Sequence, residues 1–208
     1  MCTENRMERS VANHSGTYTD TKATVRRLAV ELFADHALIK EGAREWRCGR
    51  KGTVVYSARI LFRPGMIAVW GDLGEWILRH GDSDSIGWLR GAISSPDYLL
   101  SKVQAGEKER FYPDDALAWL RSEDAVHTYG RQKIEVARES LDLYEPFSLT
   151  IEQWLRACYE AEMDDPPRFE KPCESALWLV ELLRKFVALE AAGDSAPRPG
   201  EGKEGERG

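Results

Sequence analysis

Residues 64–77, PGMIAVWGDLGEWI, set two apolar runs on either side of a Gly-Asp-Leu-Gly core. Read one way, GDLG is a loop whose amides and Asp72 grip a ligand. Read the other way, Gly71 and Gly74 supply unusual φ angles and Asp72 bonds its own backbone, so the segment is a hairpin bend. A phosphate loop wants more glycines, a lysine and a following helix. Here EWILR follows, which reads as strand. The hairpin is therefore the expected reading, and it places an antiparallel sheet at this point of the chain.

Working outward, MIAVW (66–70) and EWILR (75–79) are the two arms of that hairpin. Upstream, TVVYSARILF (53–62) reads as a longer strand with Val54, Tyr56, Ala58, Ile60 and Phe62 on one face. Its other face carries Val55, Ser57, Arg59 and Leu61, and EWRC (45–48) precedes it across the turn GRKG. Before the strands, Val25, Leu28, Ala29, Leu32, Phe33 and His36 recur at helical spacing, which predicts a first helix over 21–39. After Gly81 the pattern turns helical: short helices over 83–93 and 95–105, then 112–125, 131–144, 148–163 and 174–192. The last is the most apolar and is expected to sit centrally.

The expected fold class is thus α+β: an N-terminal helix, a small antiparallel sheet of three to four strands, then a mostly helical C-terminal half. The expected organisation is a flexible arm over 1–18 and one domain over 19–192. Within that domain, 19–105 is the helix-plus-sheet part and 106–192 the helical part. The tail over 193–208 is rich in Gly, Pro and charge and is expected to be disordered.

Totals narrow the function classes. The 208 residues carry a formal charge of −6, which disfavours direct binding to a phosphate backbone. No apolar run approaches the roughly 20 residues that span a bilayer, and the polar start lacks a signal-peptide core. No membrane association is expected, and the cytoplasm is the default compartment. Cys2, Cys48, Cys158 and Cys173 lie far apart with no C-x-x-C pair, so free thiols are expected. Seven tryptophans are many for this length, and tryptophan enters both cores and interfaces.

In DSDSIG (82–87), Asp82, Asp84 and Gly87 fit calcium-loop positions, but Ile86 and Ile93 occupy two of the ligand positions. Those acidic residues are instead expected to cap a helix. His14, His36, His80 and His127 show no metal-ligand spacing, and no nucleophile is paired with a base by any motif. The acidic clusters at 122–125 and 160–165 read as solvated helix ends. No metal, cofactor or catalytic residue is expected. Contact with a partner or ligand is assigned to Asp72, Trp76, His80, Trp70 and Trp88. In the alternative reading, an enzyme or small-ligand binder, Asp72, Trp76 and His80 line a pocket with Cys48.

The order Trp46, Cys48, Tyr56, then P-G-x-I-x-V-x-G-D-x-G over 64–74, resembles a family of small proteins encoded by bacteriophages and prophages. Asp84 to Leu89 and the run Pro96, Tyr98, Lys102 continue the resemblance, which spans about residues 46–103. Ile77 and Leu78 depart from it, being less aromatic than the family pattern. The resemblance assigns no activity and no catalytic residues. It implies a phage accessory protein in the host cytoplasm that binds and disables a host macromolecule, such as a CRISPR effector or another defence complex. It does not specify the partner or the oligomeric state.

Overall fold

The computed structural model describes residues 17–53, 55–145, 148–193 and 195–196. The protein is a mixed α+β chain that divides into two compact units. One comprises residues 22–108 with 172–208; the other comprises 1–21 with 109–171.

The first unit is built on a sheet. Helix α1 (Tyr18–Leu32) leads into β1 (His36–Gly42), β2 (Glu45–Arg50), β3 (Ala58–Arg63), β4 (Met66–Gly71) and β5 (Gly74–Arg79). Helices α2 (Ser85–Ala92) and α3 (Pro96–Ser101) follow, then β6 (Val103–Ala105). The long helix α8 (Glu174–Ala191) and the two-residue strand β9 (Ser195–Ala196) return to the same unit. The sheet runs β6-β5-β4-β3-β2-β1-β9. All neighbours are antiparallel except β9, which lies parallel on β1. One face is the core: Trp46, Ile60, Phe62, Ile67, Val69, Trp76 and Leu78 are buried there. Phe62 and Trp46 meet Phe186 of α8 at 5.1 and 5.9 Å between ring centres, which ties that helix to the sheet.

GDLG is the bend of the β4–β5 hairpin. Gly71 pairs with Gly74, leaving Asp72 and Leu73 as the two turn residues. The unusual backbone angles fall on the flanking glycines, Gly71 at φ +149 and Gly74 at φ +109, where side chains are rarely tolerated. Trp76 folds beneath this bend, its indole N–H directed at the Leu73 carbonyl at 3.3 Å.

Several expectations are corrected. The sheet has seven strands where three to four were expected. The first helix ends at Leu32, and 36–42 is strand, because His36, Leu38 and Lys40 alternate with Ala37, Ile39 and Glu41 and pair with β2. The third strand begins only at Ala58, since Tyr56 sits at φ +56, a value that interrupts a strand. Residues 103–105 leave the expected helix to pair with β5, the Lys102 carbonyl accepting the Arg79 N–H. At the other end of the chain, Ser195 and Ala196 of the expected disordered tail pair with Leu38 and Ile39. The rest of that tail, apart from Gly193, and nearly all of the expected N-terminal arm lie outside the described residues.

The second unit packs α4 (Pro113–Leu120), α5 (Glu123–Tyr129), α6 (Arg131–Leu141) and α7 (Ile151–Glu160). A two-stranded sheet pairs β7 (Glu109–Phe111) with β8 (Glu170–Pro172). The expected helix over 112–125 is two helices, because the Ser122 hydroxyl accepts the Ala125 N–H and starts a new one. Thr150 and Gln153 form a reciprocal capping box at the start of α7. The core gathers Leu120, Ile134, Leu141, Trp154, Cys158 and Met163.

Candidate functional site

Helix α8 packs on the face of the sheet that carries Phe62 and Trp46. Strand alternation sends the remaining side chains to the opposite, outer face. The register aligns them in rows across the strands. One row is Ile39, Arg47, Arg59, Trp70 and Glu75. The next is Glu45, Leu61, Ala68 and Ile77. A third is Arg63, Met66 and Arg79. The apolar members form one patch centred on β4: Leu61, Met66, Ala68, Trp70 and Ile77. Ile77 is 37% exposed and Trp70 is half-buried, while Arg59, Arg63, Glu75 and Arg79 are exposed.

Charge surrounds this patch unevenly. The Glu41 carboxylate is shared by two arginines, with Arg59 Nε at 3.2 Å and Arg47 Nε at 3.3 Å, the latter too poorly angled for a hydrogen bond. Arg63, Arg79 and Glu75 make no ion pair among the described residues. A half-exposed tryptophan beside arginines is the chemistry of an interface hot spot. Exposed ion pairs of this kind add little stability to the fold.

The residues assigned to contact from sequence do not converge. Asp72 is exposed at the hairpin bend, where its N–H donates to the Ser57 carbonyl at 3.2 Å. Trp76 is buried on the core face, 3% exposed, covered by Gly106, where an added Cβ would lie 2.4 Å from the indole. His80 lies just past the far end of β5 from Asp72, stacked on Trp88 of α2 at 4.2 Å with ring planes 5° from parallel. His80 Nδ1 accepts the Asp82 N–H at 3.2 Å, and burial lowers its pKa while Asp82 opposes the shift. Of the five, Trp70 alone lies on the outer face of the sheet. Sequence reading placed Arg59 and Leu61 on a shared strand face but drew no site from it. Arg47, Arg63, Arg79 and Ile77 were missed, although the same period-two alternation runs through their strands.

The pocket residues of the alternative reading are also dispersed. Cys48 lies on the core face, and burial pushes its thiol up to about 12; Cys158, in the helical unit, is raised to about 12 for the same reason. A thiol at that value is not a nucleophile near neutral pH. Asp84 caps α2 by accepting the Gly87 N–H at 3.0 Å, and Asp82 accepts the Asp84 N–H at 3.0 Å. Among the described residues no group of three or more His, Cys, Asp or Glu side chains is placed to hold a metal. No helix among them is long and apolar enough to cross a membrane.

His36 illustrates a buried titratable group with a structural task. Its Nε2 lies 2.8 Å from the Tyr56 carbonyl, so Nε2 carries the proton and fixes the bend at Tyr56. Nδ1 is buried without a partner, and Phe33 packs on the ring at 4.8 Å. Burial lowers the His36 pKa; the Tyr56 carbonyl opposes, Lys185 and Arg50 lower it further, and Asp35 opposes. A lowered folded value means that the unfolded chain takes up the proton first. Stability is therefore full above the unfolded histidine pKa of about 6.5 and falls as pH drops through the folded value. Denaturant titrations between pH 7.5 and 5.5 should show this decline, with a shallower slope in His36→Asn. An unchanged slope in the variant would show that His36 is not the group responsible.

Compared with protein-family models, curated proteins and solved structures, the chain matches none.

Proposed function

We propose that the protein is a non-enzymatic binding protein, a phage or prophage accessory factor that occupies a surface on a host macromolecule such as a defence complex. The observation that carries the reading is the outer face of the sheet. It sets Trp70, Leu61 and Ile77 among Arg59, Arg63 and Arg79 on a face whose side chains are half-buried or exposed. Interface anchors are enriched in tryptophan and arginine, and an apolar centre with a charged rim is the usual anatomy of a contact surface. The phage setting rests on the resemblance over 46–103, a stretch that supplies most of β2 and all of β3, β4 and β5, hence most of this face.

The test is a plating assay in bacteria with active CRISPR immunity, alongside affinity capture of the partner. The wild-type chain should raise phage plating and retain a stoichiometric host protein. Trp70→Ala should weaken that complex by about 2 kcal/mol, as hot-spot truncations do, a loss of roughly 30-fold in affinity. Its circular dichroism should match wild type. A wild-type chain with no effect on immunity and no retained partner would refute the proposal.

A further inference from the structure

We infer that the outer face of the sheet pairs with a second copy of this chain about a two-fold axis lying over β4 and parallel to the strands. This rests on reading that face as a contact surface and names one occupant for it.

The strand register fixes the pairing. An axis over β4 lays β3 of one copy across β5 of the other and keeps each row opposite itself. Arg59 then faces the second copy's Glu75, and Leu61 faces its Ile77. Trp70, Ala68 and Met66, all on β4, each face their own equivalents. The apolar patch is centred on β4, so this axis buries all five of its members. Glu75 gains the cation it lacks among the described residues, and Arg59 is one of two arginines competing for Glu41. Strands parallel across the interface match aligned sheet packing, in which sheets meet within about 30°. Two contacts are unfavourable: by the same symmetry the Arg63 of each copy faces the Arg79 of the other in the outer row, where the guanidinium groups can turn to water.

Size sets the strength. Strand spacing of about 4.8 Å and a rise of about 3.3 Å per residue give the patch a footprint of roughly 20 by 20 Å. That falls below the approximately 800 Å² per partner of a standard stable complex. The pairing is therefore concentration-dependent, and it leaves the face available to a larger partner when the protein is dilute. Binding of that partner and self-pairing exclude one another.

Analytical ultracentrifugation of the full chain over a wide concentration range reads the pairing directly. The expected mass rises from the 23.6 kDa monomer toward twice that value. Arg59→Glu and Glu75→Arg should each weaken self-association about tenfold, since each removes two ion pairs and introduces repulsion. The double variant Arg59→Glu with Glu75→Arg should recover most of the loss. Arg79→Glu should tighten the dimer by relieving the clash with Arg63. Circular dichroism and melting temperature confirm that each variant folds, Arg47 remaining on Glu41 when Arg59 is changed. A monomer at every concentration, single variants without effect, or a double variant no better than the singles would each overturn the inference. A monomer whose host complex is still lost in Trp70→Ala would overturn only the dimer. Charge-swap rescue in a chain without host partner or effect on immunity would uphold the dimer and refute the proposed function.

Discussion

Replacing Trp154 by alanine is expected to destabilise the helical unit by about 3–5 kcal/mol, the range for removing a large aromatic from a packed core. The side chain is 0% exposed. Its ring centre lies 5.5 Å from Phe169, 6.1 Å from Trp119 and 6.4 Å from Phe111, so one truncation strips contacts from α4, β7 and the segment before β8. Its indole N–H also donates to the Pro167 carbonyl at 2.7 Å, and alanine leaves that carbonyl unpartnered. Small domains are stable by only about 5–15 kcal/mol in total, so this loss takes a large share. Urea unfolding followed by near-ultraviolet circular dichroism gives the value, and limited proteolysis should place new cuts within residues 109–171. Trp154→Phe, which keeps a ring and loses the donor, should fall between wild type and alanine. A loss under about 1 kcal/mol for alanine would mean that the core closes over the gap, contrary to close packing.

Trp154 also shows what a tryptophan count could and could not say. The count of seven is open to a core or an interface role. Trp46, Trp76, Trp154 and Trp178 are buried, so most of that count is core. Trp70 is the one that period-two alternation sends outward on the sheet. Local pattern identified the hairpin at Gly71 to Gly74, an acidic cap before α2 and the shared strand face of Ala58, Ile60 and Phe62. It failed where a tertiary partner decided the outcome. His36 and Ile39 fit a helical stripe as well as they fit a strand, and pairing with β2 selects the strand. Val103 to Ala105 continue a helical pattern until β5 claims them. The outer-face site was legible only in halves. Alternation gives each strand's outward residues, but the row that joins Arg59, Trp70 and Glu75 depends on register across three strands. No single strand's sequence specifies it.

Gly71→Ala should be the most damaging small substitution in the sheet, costing about 2–5 kcal/mol. Two effects add. The residue sits at φ +149, in a region that L side chains rarely adopt, and holding an alanine there costs about 1–2 kcal/mol. A Cβ there would also lie 2.3 Å from the Ser57 carbonyl oxygen and 2.9 Å from the Ala58 Cα. Both are backbone atoms at the start of β3, so the clash is relieved only by moving one strand from the other; forcing extra atoms into a packed site costs about 1–3 kcal/mol. Gly52 provides the control. It lies at φ +81 with nothing within 4 Å of an added Cβ, so Gly52→Ala carries the backbone cost without the clash. Thermal or urea unfolding of the two variants therefore separates strain from crowding, and Gly71→Ala should be the worse by more than about 1 kcal/mol. Equal losses would mean that β3 and β4 separate at no cost. The functional consequence follows from register, because Gly71 pairs with Ala58 in the row next to the one where Trp70 meets Arg59. A β4 displaced at that end carries Trp70 away from Arg59, so Gly71→Ala should weaken partner capture even at temperatures where the chain remains folded.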